Sequence, residues 1–361
     1  MASPLGKVAV ITGGNAGIGL TLAERLLTLD SSLTLCLACR NMIKAEAARQ
    51  ALLTSHPSSR VECVRLDTSD VQSVYTAAQK IREEYPRVDY LYLNAGTMGK
   101  VSVDAMAILK AMVSPRAPEI FRTGEKLLSQ KDETTKDGLQ EIFATNVFGH
   151  FVLIRELEDV LCQPDHTSQV IWTSSQNATR KAFDLEDFQH SEGQEGYSSS
   201  KYATDMLSAA LTEAYRGRGL VSHTACPGLV VTNLTKGILP PWVWWVMLPL
   251  LWVMRALVPS MTISPHNGTE VLVMWALVPS MTISPHNGTE VLVWLSRQVP
   301  SSLDPLCKYT SRCKVWGTAY VDREKLDIDL PTAEQFYQKL LQLENHFREK
   351  YREVRSEIRG Q

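Results

Sequence analysis

Tyr197 and Lys201 stand four residues apart. On a helix that offset puts a phenol and an ammonium on one face, about one turn from each other. A free phenol loses its proton near pH ~10, and a fixed positive charge nearby favours the phenolate. The pair is therefore a candidate proton donor, with a phenol pKa expected to fall toward working pH. Tyr and Lys are common surface residues, so the weight of the pair depends on what the upstream elements bring to it.

The first such element is a β-branched run, Lys7 to Thr12, followed by Thr12-Gly13-Gly14-Asn15-Ala16-Gly17-Ile18-Gly19 and an apolar-periodic helix, LTLAERLLTL. A strand, a glycine turn and a helix start make a site for a pyrophosphate: the glycines admit the phosphates to the backbone, and the helix end supplies free N–H groups. A second strand, Leu33 to Ala38, ends in Cys39-Arg40-Asn41. A carboxylate here would select NAD through the ribose 2′-hydroxyl, whereas an arginine accepts a 2′-phosphate, so Arg40 points to NADPH. The alternative is a solvated arginine at a strand end.

The alternation continues with a helix from Ala45 to Ser55, a strand from Val61 to Leu66 ending in Asp67, a helix from Val71 to Tyr85 and a strand from Tyr90 to Leu93. Strands alternating with helices of this length predict an α/β fold with a doubly wound parallel sheet, a Rossmann fold. Asn94-Ala95-Gly96 then falls at a strand's carboxyl end, where ligands collect in such sheets. The stretch from Thr97 to Lys136 is loosely patterned and long for a connection inside one domain, which marks it as functional or mobile. Leu139 to Leu161 reads as one long helix carrying Asn146, a polar residue in an apolar stripe that must find hydrogen-bond partners. His150, with nothing at ligand spacing, reads as structural. A fifth strand, Val170 to Thr173, ends in Ser174-Ser175; a sixth, Val221 to Cys226, ends in Pro227-Gly228 and leads to Thr232.

Composition sets the outer limits. At 361 residues the chain can bury a full core, and 44% apolar with 21% charged residues is ordinary for a globular protein. A formal charge of -2 gives no reason to expect nucleic acid as a partner. The seven cysteines have no metal spacing, and Cys36-Leu-Ala-Cys39 lies in an apolar run that reads as a packed strand. The start MASPLGKVAVITGG enters a strand within a few residues, so no signal peptide is expected and the domain is expected to face a reducing cytosol.

In this order the motifs resemble the short-chain dehydrogenase/reductase family: TGxxxGxG at 12 to 19, NAG at 94 to 96, the helix Asn146, a strand-end serine, YxxxK at 197 to 201 and PG at 227 and 228. The resemblance covers residues 7 to about 235 and a last strand near Gly317 to Asp322. It implies a single reductase domain, 1–330, in which Tyr197 is the general acid and Lys201 lowers its pKa while binding the nicotinamide ribose. Ser175 would hydrogen-bond the carbonyl oxygen, and Asn146 would anchor a proton-relay water. Thr12, Gly13, Gly14, Asn15, Gly17, Ile18, Gly19, Pro227, Gly228 and Thr232 would line the cofactor. Arg40 and Asn41 would hold the 2′-phosphate of NADPH, Asp67 the adenine edge, and Asn94, Ala95 and Gly96 the adenine-side ribose.

Within the family, ACRN at 38 to 41, NVFGHFVLIREL at 146 to 157 and YSSSKYATD at 197 to 205 are most similar to sterol- and steroid-ketone reductases of the endoplasmic reticulum membrane. That implies a 3-keto-sterol of cholesterol synthesis, or a 17-ketone such as estrone, as substrate. A retinoid or other lipid carbonyl reductase and a non-catalytic scaffold are the competing readings. Ser175 precedes Tyr197 by 22 residues, longer than the family's usual spacing, so Phe183 to Gly196 must hold an insertion.

Ile238 to Met254 is 17 uncharged residues with three prolines and four tryptophans. That is short of the about 20 needed to span a bilayer, and tryptophan favours the interface. An embedded anchor over the sterol entrance, a true span and a buried helix all remain open. Residues 256–273 recur unchanged at 276–293, and only one copy is expected to fill the helix position of the fold. Residues 331–361 read as a C-terminal amphipathic helix with a capping box at Thr332 to Gln335. Its apolar stripe could face the domain, a second subunit of a homodimer, another enzyme of sterol synthesis or the membrane.

Overall fold

The computed structural model describes residues 6–103, 128–228, 230, 284–313 and 318–359. The first strand, β1 (Val8–Thr12), and the second, β2 (Thr34–Cys39), are buried along their whole length. Strands covered on both faces lose the polar alternation of a half-exposed strand, and VAVIT and TLCLAC read accordingly. They pair in parallel, and β3 (Arg60–Arg65), β4 (Tyr90–Leu93), β7 (Ser168–Thr173) and β8 (Leu220–Cys226) extend the parallel set. With β9 (Cys307–Cys313) and β10 (Ala319–Lys325) added beyond β8, the sheet runs β10-β9-β8-β7-β4-β1-β2-β3. Strand order reverses between β1 and β4, and the carboxyl ends there form the crevice in which such sheets take their ligands.

Helices cover both faces. On one side α1 (Gly17–Leu29), α2 (Met42–Ser55) and α6 (Glu290–Ser296) bury Leu22, Ala45 and Leu292 in a cluster with Ile11, Leu35 and Tyr92. On the other, α3 (Val71–Glu84), α4 (Gly149–Glu156), α5 (Gly196–Ala214) and α7 (Leu330–Arg359) share a cluster with Val10, Leu91 and Trp172. Cys36 and Cys39 lie in opposite clusters, so they are packing residues and not a dithiol pair. Local chemistry sets several helix starts: Asn41 caps α2 by accepting from Lys44 N–H at 3.0 Å, and Asp70 caps α3 through Ser73 N–H at 3.1 Å.

Three expectations need correction. The helix expected from Leu139 to Leu161 is broken into Glu141–Phe143, a π-helical segment Ala144–Phe148, α4, and a last turn Glu158–Leu161. Periodicity cannot show a one-residue widening of the helix, because the apolar stripe continues through it. The last strand expected at Gly317 to Asp322 is really a pair of strands. β9 (Cys307–Cys313) runs parallel to β8, and β10 (Ala319–Lys325) is antiparallel on the edge; residue 317 lies outside the described residues. CKYTSRC does not read as a strand because it carries polar residues that only a distant partner satisfies: Ser311 Oγ accepts from Val291 N–H at 2.9 Å and donates to Gly288 O at 3.0 Å. Finally, the C-terminal helix is capped by Asp329, whose Oδ2 accepts from the N–H and hydroxyl of Thr332 at 3.0 and 2.6 Å, and not by Thr332.

The stripe of α7 packs on its own domain: Phe336, Leu340 and Phe347 are buried in the core shared with Phe148 and Tyr202. The insertion before Tyr197 is gripped there too, with Phe183 and Phe188 at 5.3 and 6.0 Å from the ring of Phe336. The loose stretch 97–136 contains two strands that pair antiparallel, β5 (Lys100–Val103) and β6 (Leu128–Lys131). Of the repeated sequence, the second copy supplies α6 and the turn Pro285–Gly288, capped by Ser284. Arg25 of α1 binds that copy through Glu290 Oε2 at 2.6 Å and His286 O at 2.8 Å. The first copy, Thr232 and the apolar segment 238–254 lie outside the described residues. Among the described residues no helix is long and apolar enough to cross a membrane.

Candidate active site

The glycine turn after β1 is shaped by close contact. Gly13 has φ of +69°, and a Cβ there would lie 3.2 Å from Ala95 Cα; a Cβ on Gly19 would lie 2.5 Å from Gly13 O. Side chains are thereby excluded, and backbone lines the turn. The α1 N-terminus has no side-chain cap and no acidic residue in its first turn, which leaves its N–H groups and positive dipole end for an anion. Asn15 and Ile18 lie in this turn, and Ile18 touches Val230, just beyond Pro227-Gly228 at the end of β8.

Thr12 braces the turn from beneath. It is fully buried, and its Oγ1 accepts from Asn94 N–H and Ala95 N–H, each at 2.9 Å. With both lone pairs used, its proton is left for His150 Nε2 at 3.0 Å, with Tyr92 O a longer acceptor at 3.4 Å, and the imidazole proton on Nδ1 is donated to Asn146 O at 3.3 Å. Thr12 thus holds the cofactor loop without a surface to touch a ligand. Burial pushes the His150 pKa down to about 3 and keeps the ring neutral. Asn94 Nδ2 donates to Thr12 O at 3.1 Å, and Gly96 faces Asn146 and Lys201.

At the end of β2, the Arg40 guanidinium is 70% exposed, 3.9 Å from Asp67 Oδ2, and free to turn toward a phosphate. Asp67 Oδ1 is occupied by Ser69, at 3.1 Å from its N–H and 2.7 Å from its hydroxyl. The Asn41 side-chain oxygen is engaged as the cap of α2. A backbone-lined cradle, an unshielded helix N-terminus and a basic strand end together fit a dinucleotide with a 2′-phosphate.

The candidate reacting groups gather at the carboxyl ends of β7 and β8. Tyr197 and Lys201 occupy the first turns of α5, with Lys201 Nζ 5.5 Å from the phenol ring centroid and donating to Thr173 O at 2.7 Å. Ser175 hydrogen-bonds the Tyr197 side chain, whereas Ser174 turns the other way and donates to Asp205 Oδ1 at 2.6 Å. Of the two strand-end serines, Ser175 is therefore the one that faces the phenol. Asn146 Oδ1 accepts from Thr97 N–H at 2.8 Å, and its Nδ2 donates to Thr97 O at 2.9 Å and Ser200 Oγ at 3.0 Å. The amide is committed to protein partners, so it joins the loop after β4 to α5 rather than standing ready for a water.

The electrostatics depart from the expectation for Tyr197. Burial pushes its pKa up to about 12, against a lowering by the Ser175 hydrogen bond. Burial also takes Lys201 down to about 8, partly offset by Asp205. The ammonium lies over the ring and is aimed at Thr173 O, so the desolvation of the phenol outweighs its attraction. A phenol held in its protonated form is the state a general acid requires. Sequence reasoning passed over Ser200, Asp205 and Lys308. Lys308 Nζ is 2.6 Å from Asp205 Oδ2 and donates to Ser175 O at 2.9 Å. Asp205 was visible as an acidic residue four places beyond Lys201, but its partner is remote in sequence.

A cofactor cradle and a Ser-Tyr-Lys cluster on one edge of a doubly wound sheet define a dinucleotide-dependent oxidoreductase. The chain belongs to the short-chain dehydrogenase family, whose sequence model matches residues 7–114 and 122–241. It is 49% identical over 342 residues to the 3-keto-steroid reductase/17-beta-hydroxysteroid dehydrogenase 7 of Homo sapiens, covering 95% of this chain and 94% of that protein. A 3-keto-steroid reductase of Schizosaccharomyces pombe is 35% identical over 65% of this chain and 71% of its own length. Among solved structures, salutaridine reductase from Papaver somniferum shares the fold at a TM-score of 0.55 and 20% identity, covering 83% of this chain and 98% of its own.

Proposed function

We propose that this protein reduces a sterol or steroid ketone to the alcohol with NADPH, its substrate a 3-keto-sterol of cholesterol synthesis and also a 17-ketone such as estrone. The observation that carries the reading is the side-chain cluster itself: Ser175 hydrogen-bonded to Tyr197, and Tyr197 beneath Lys201, beside a cradle that fits the dinucleotide. Similarity to steroid-ketone reductases over nearly the whole chain supports the substrate class.

When bound, NADPH supplies the hydride to the carbonyl carbon. Ser175 Oγ orients the carbonyl oxygen, and the Tyr197 hydroxyl gives it a proton as negative charge develops there. Lys201 holds the nicotinamide-side ribose, and its positive charge stabilises the phenolate left behind. Arg40 selects the 2′-phosphate, and Gly13, Gly14 and Gly19 admit the pyrophosphate to the α1 N-terminus. The protein works at the endoplasmic reticulum membrane, facing the cytosol, with 238–254 embedded near the sterol entrance. Tryptophan-rich, uncharged composition supports that anchor.

Tyr197→Phe tests the assignment. NADPH oxidation by membrane-bound protein with a 3-keto-sterol should fall at least about 100-fold while NADPH binding is retained. Turnover near the native rate would remove Tyr197 as the acid, and a run with estrone in parallel would rank the two ketone positions.

A further inference from the structure

Asp205 lies one turn beyond Lys201 and two turns beyond Tyr197 on α5, and it is only 2% exposed. A carboxylate so deeply placed is unfavourable unless it is paired and hydrogen-bonded. It has both: Ser174 Oγ donates to Oδ1 at 2.6 Å, and Lys308 Nζ sits 2.6 Å from Oδ2. Lys308 comes from β9, far along the chain, and the same ammonium donates to Ser175 O at 2.9 Å. The buried carboxylate and its half-buried partner ammonium therefore grip both consecutive serines at the end of β7, one through its hydroxyl and the other through its carbonyl.

We propose that Asp205 and Lys308 are positioning residues for the reducing site: the pair clamps the end of β7 against α5, fixing Ser175 beside Tyr197, and its charge balance sets the field felt by Lys201. This rests on the assignment of Ser175, Tyr197 and Lys201 given above. Well-packed apolar residues often replace a buried ion pair at no loss of stability. Such residues could neither hold the Ser174 hydroxyl and the Ser175 carbonyl nor balance charge beside a buried lysine.

The groups facing Lys201 are Tyr197 and Asp205 on its own helix, His150 on α4, Cys226 on β8 and Lys308 on β9. His150 is held neutral and burial raises the Cys226 thiol; burial raises the Asp205 carboxyl too, but Lys308 and the Ser174 hydrogen bond favour its charged form, so Asp205 is the negative partner and Lys308 opposes it. Removing the Asp205 charge alone would leave two ammoniums facing each other, and Lys201 would give up its proton at lower pH. Removing both charges restores the balance.

The test uses the full-length protein in membranes, as Asp205→Asn and as the double variant Asp205→Asn/Lys308→Met. Two readouts are followed against pH: kcat/KM with a 3-keto-sterol, and NADPH affinity by equilibrium fluorescence. Asp205→Asn should move the alkaline limb of both profiles down by about one pH unit, and the double variant should return it most of the way. An unmoved limb in the single variant, or the same displacement in both, would overturn the proposal, because a purely structural pair alters stability and amplitude without moving the limb in a charge-dependent manner. If Asp205→Asn does not fold, Lys308→Met carries the test with the opposite sign: an upward shift supports the proposal and any other result refutes it. Full activity in Tyr197→Phe would instead defeat the underlying assignment, so the two failures are distinguishable.

Discussion

Arg40 is the residue on which the proposed choice of NADPH rests. Its guanidinium is exposed at the carboxyl end of β2 and, among the described residues, makes a long contact with Asp67, worth less than about 1 kcal/mol at such an exposed site. Turning it toward a 2′-phosphate therefore sacrifices little. Arg40→Asp would set a second carboxylate beside Asp67, repelling that phosphate and offering an acceptor to a ribose 2′-hydroxyl. The ratio of kcat/KM for NADPH to that for NADH should drop at least tenfold, measured by steady-state kinetics with each cofactor. An unchanged ratio would show that another group reads the phosphate. At this scale sequence served well for residue types and poorly for their states. Tyr197, Lys201 and Ser175 were legible, but the phenol's upward shift was not, because burial depends on what the rest of the chain places over it.

The π-helical segment Ala144–Phe148 is the element that ties the site together. A widened turn presents Asn146 to Thr97 and Ser200 while the same helix continues through Gly149 against the loop after β3. The approach at Gly149 is extreme, since a Cβ there would lie 1.9 Å from Thr68 O, a backbone atom that cannot swing aside. Gly149→Ala should lower unfolding free energy by roughly 2 to 3 kcal/mol, the cost of forcing an added methyl into a packed contact. It should also depress kcat more than KM for NADPH by displacing Asn146. Denaturant unfolding and steady-state kinetics would check both, and unaltered stability would mean that the contact relaxes freely. Here the sequence showed an apolar stripe and a polar interruption at Asn146, on what read as an unbroken helix.

At the scale of the whole molecule, two buried imidazoles join the site to stability. His150 packs on Trp172 with ring centroids 5.9 Å apart, and His223 on Tyr309 at 6.2 Å. Burial lowers their pKa values from 6.5 to about 3 and about 4. Both groups are depressed in the folded state, so the stability they leave intact is complete above pH 6.5 and is lost as pH falls toward those values, where only the unfolded chain takes up the protons. For His223 the loss reaches on the order of 3 kcal/mol at the acid end, at about 1.4 kcal/mol per pKa unit. The thermal midpoint should therefore fall between pH 7 and pH 4.5, and His223→Phe should flatten that decline. An identical slope in the variant would remove His223 as a cause. The C-terminal helix adds a second long-range tie, since buried Glu344 is held by Arg155 at 3.1 Å and Arg348 at 2.6 Å.

By itself the sequence determined what is local: buried strands from their continuous β-branched and apolar runs, the glycine cradle from its spacing, and the Tyr-Lys pair from helical periodicity. Those features arise from short-range backbone sterics and side-chain direction, which a window of a few residues contains. Tertiary structure alone decided that Ser174 turns to Asp205, that α7 covers its own domain, and that β9 lies beside β8 with Lys308 beneath the site. Each of these depends on a partner distant in the chain that satisfies a buried polar group or an apolar face, and no local pattern encodes that partner.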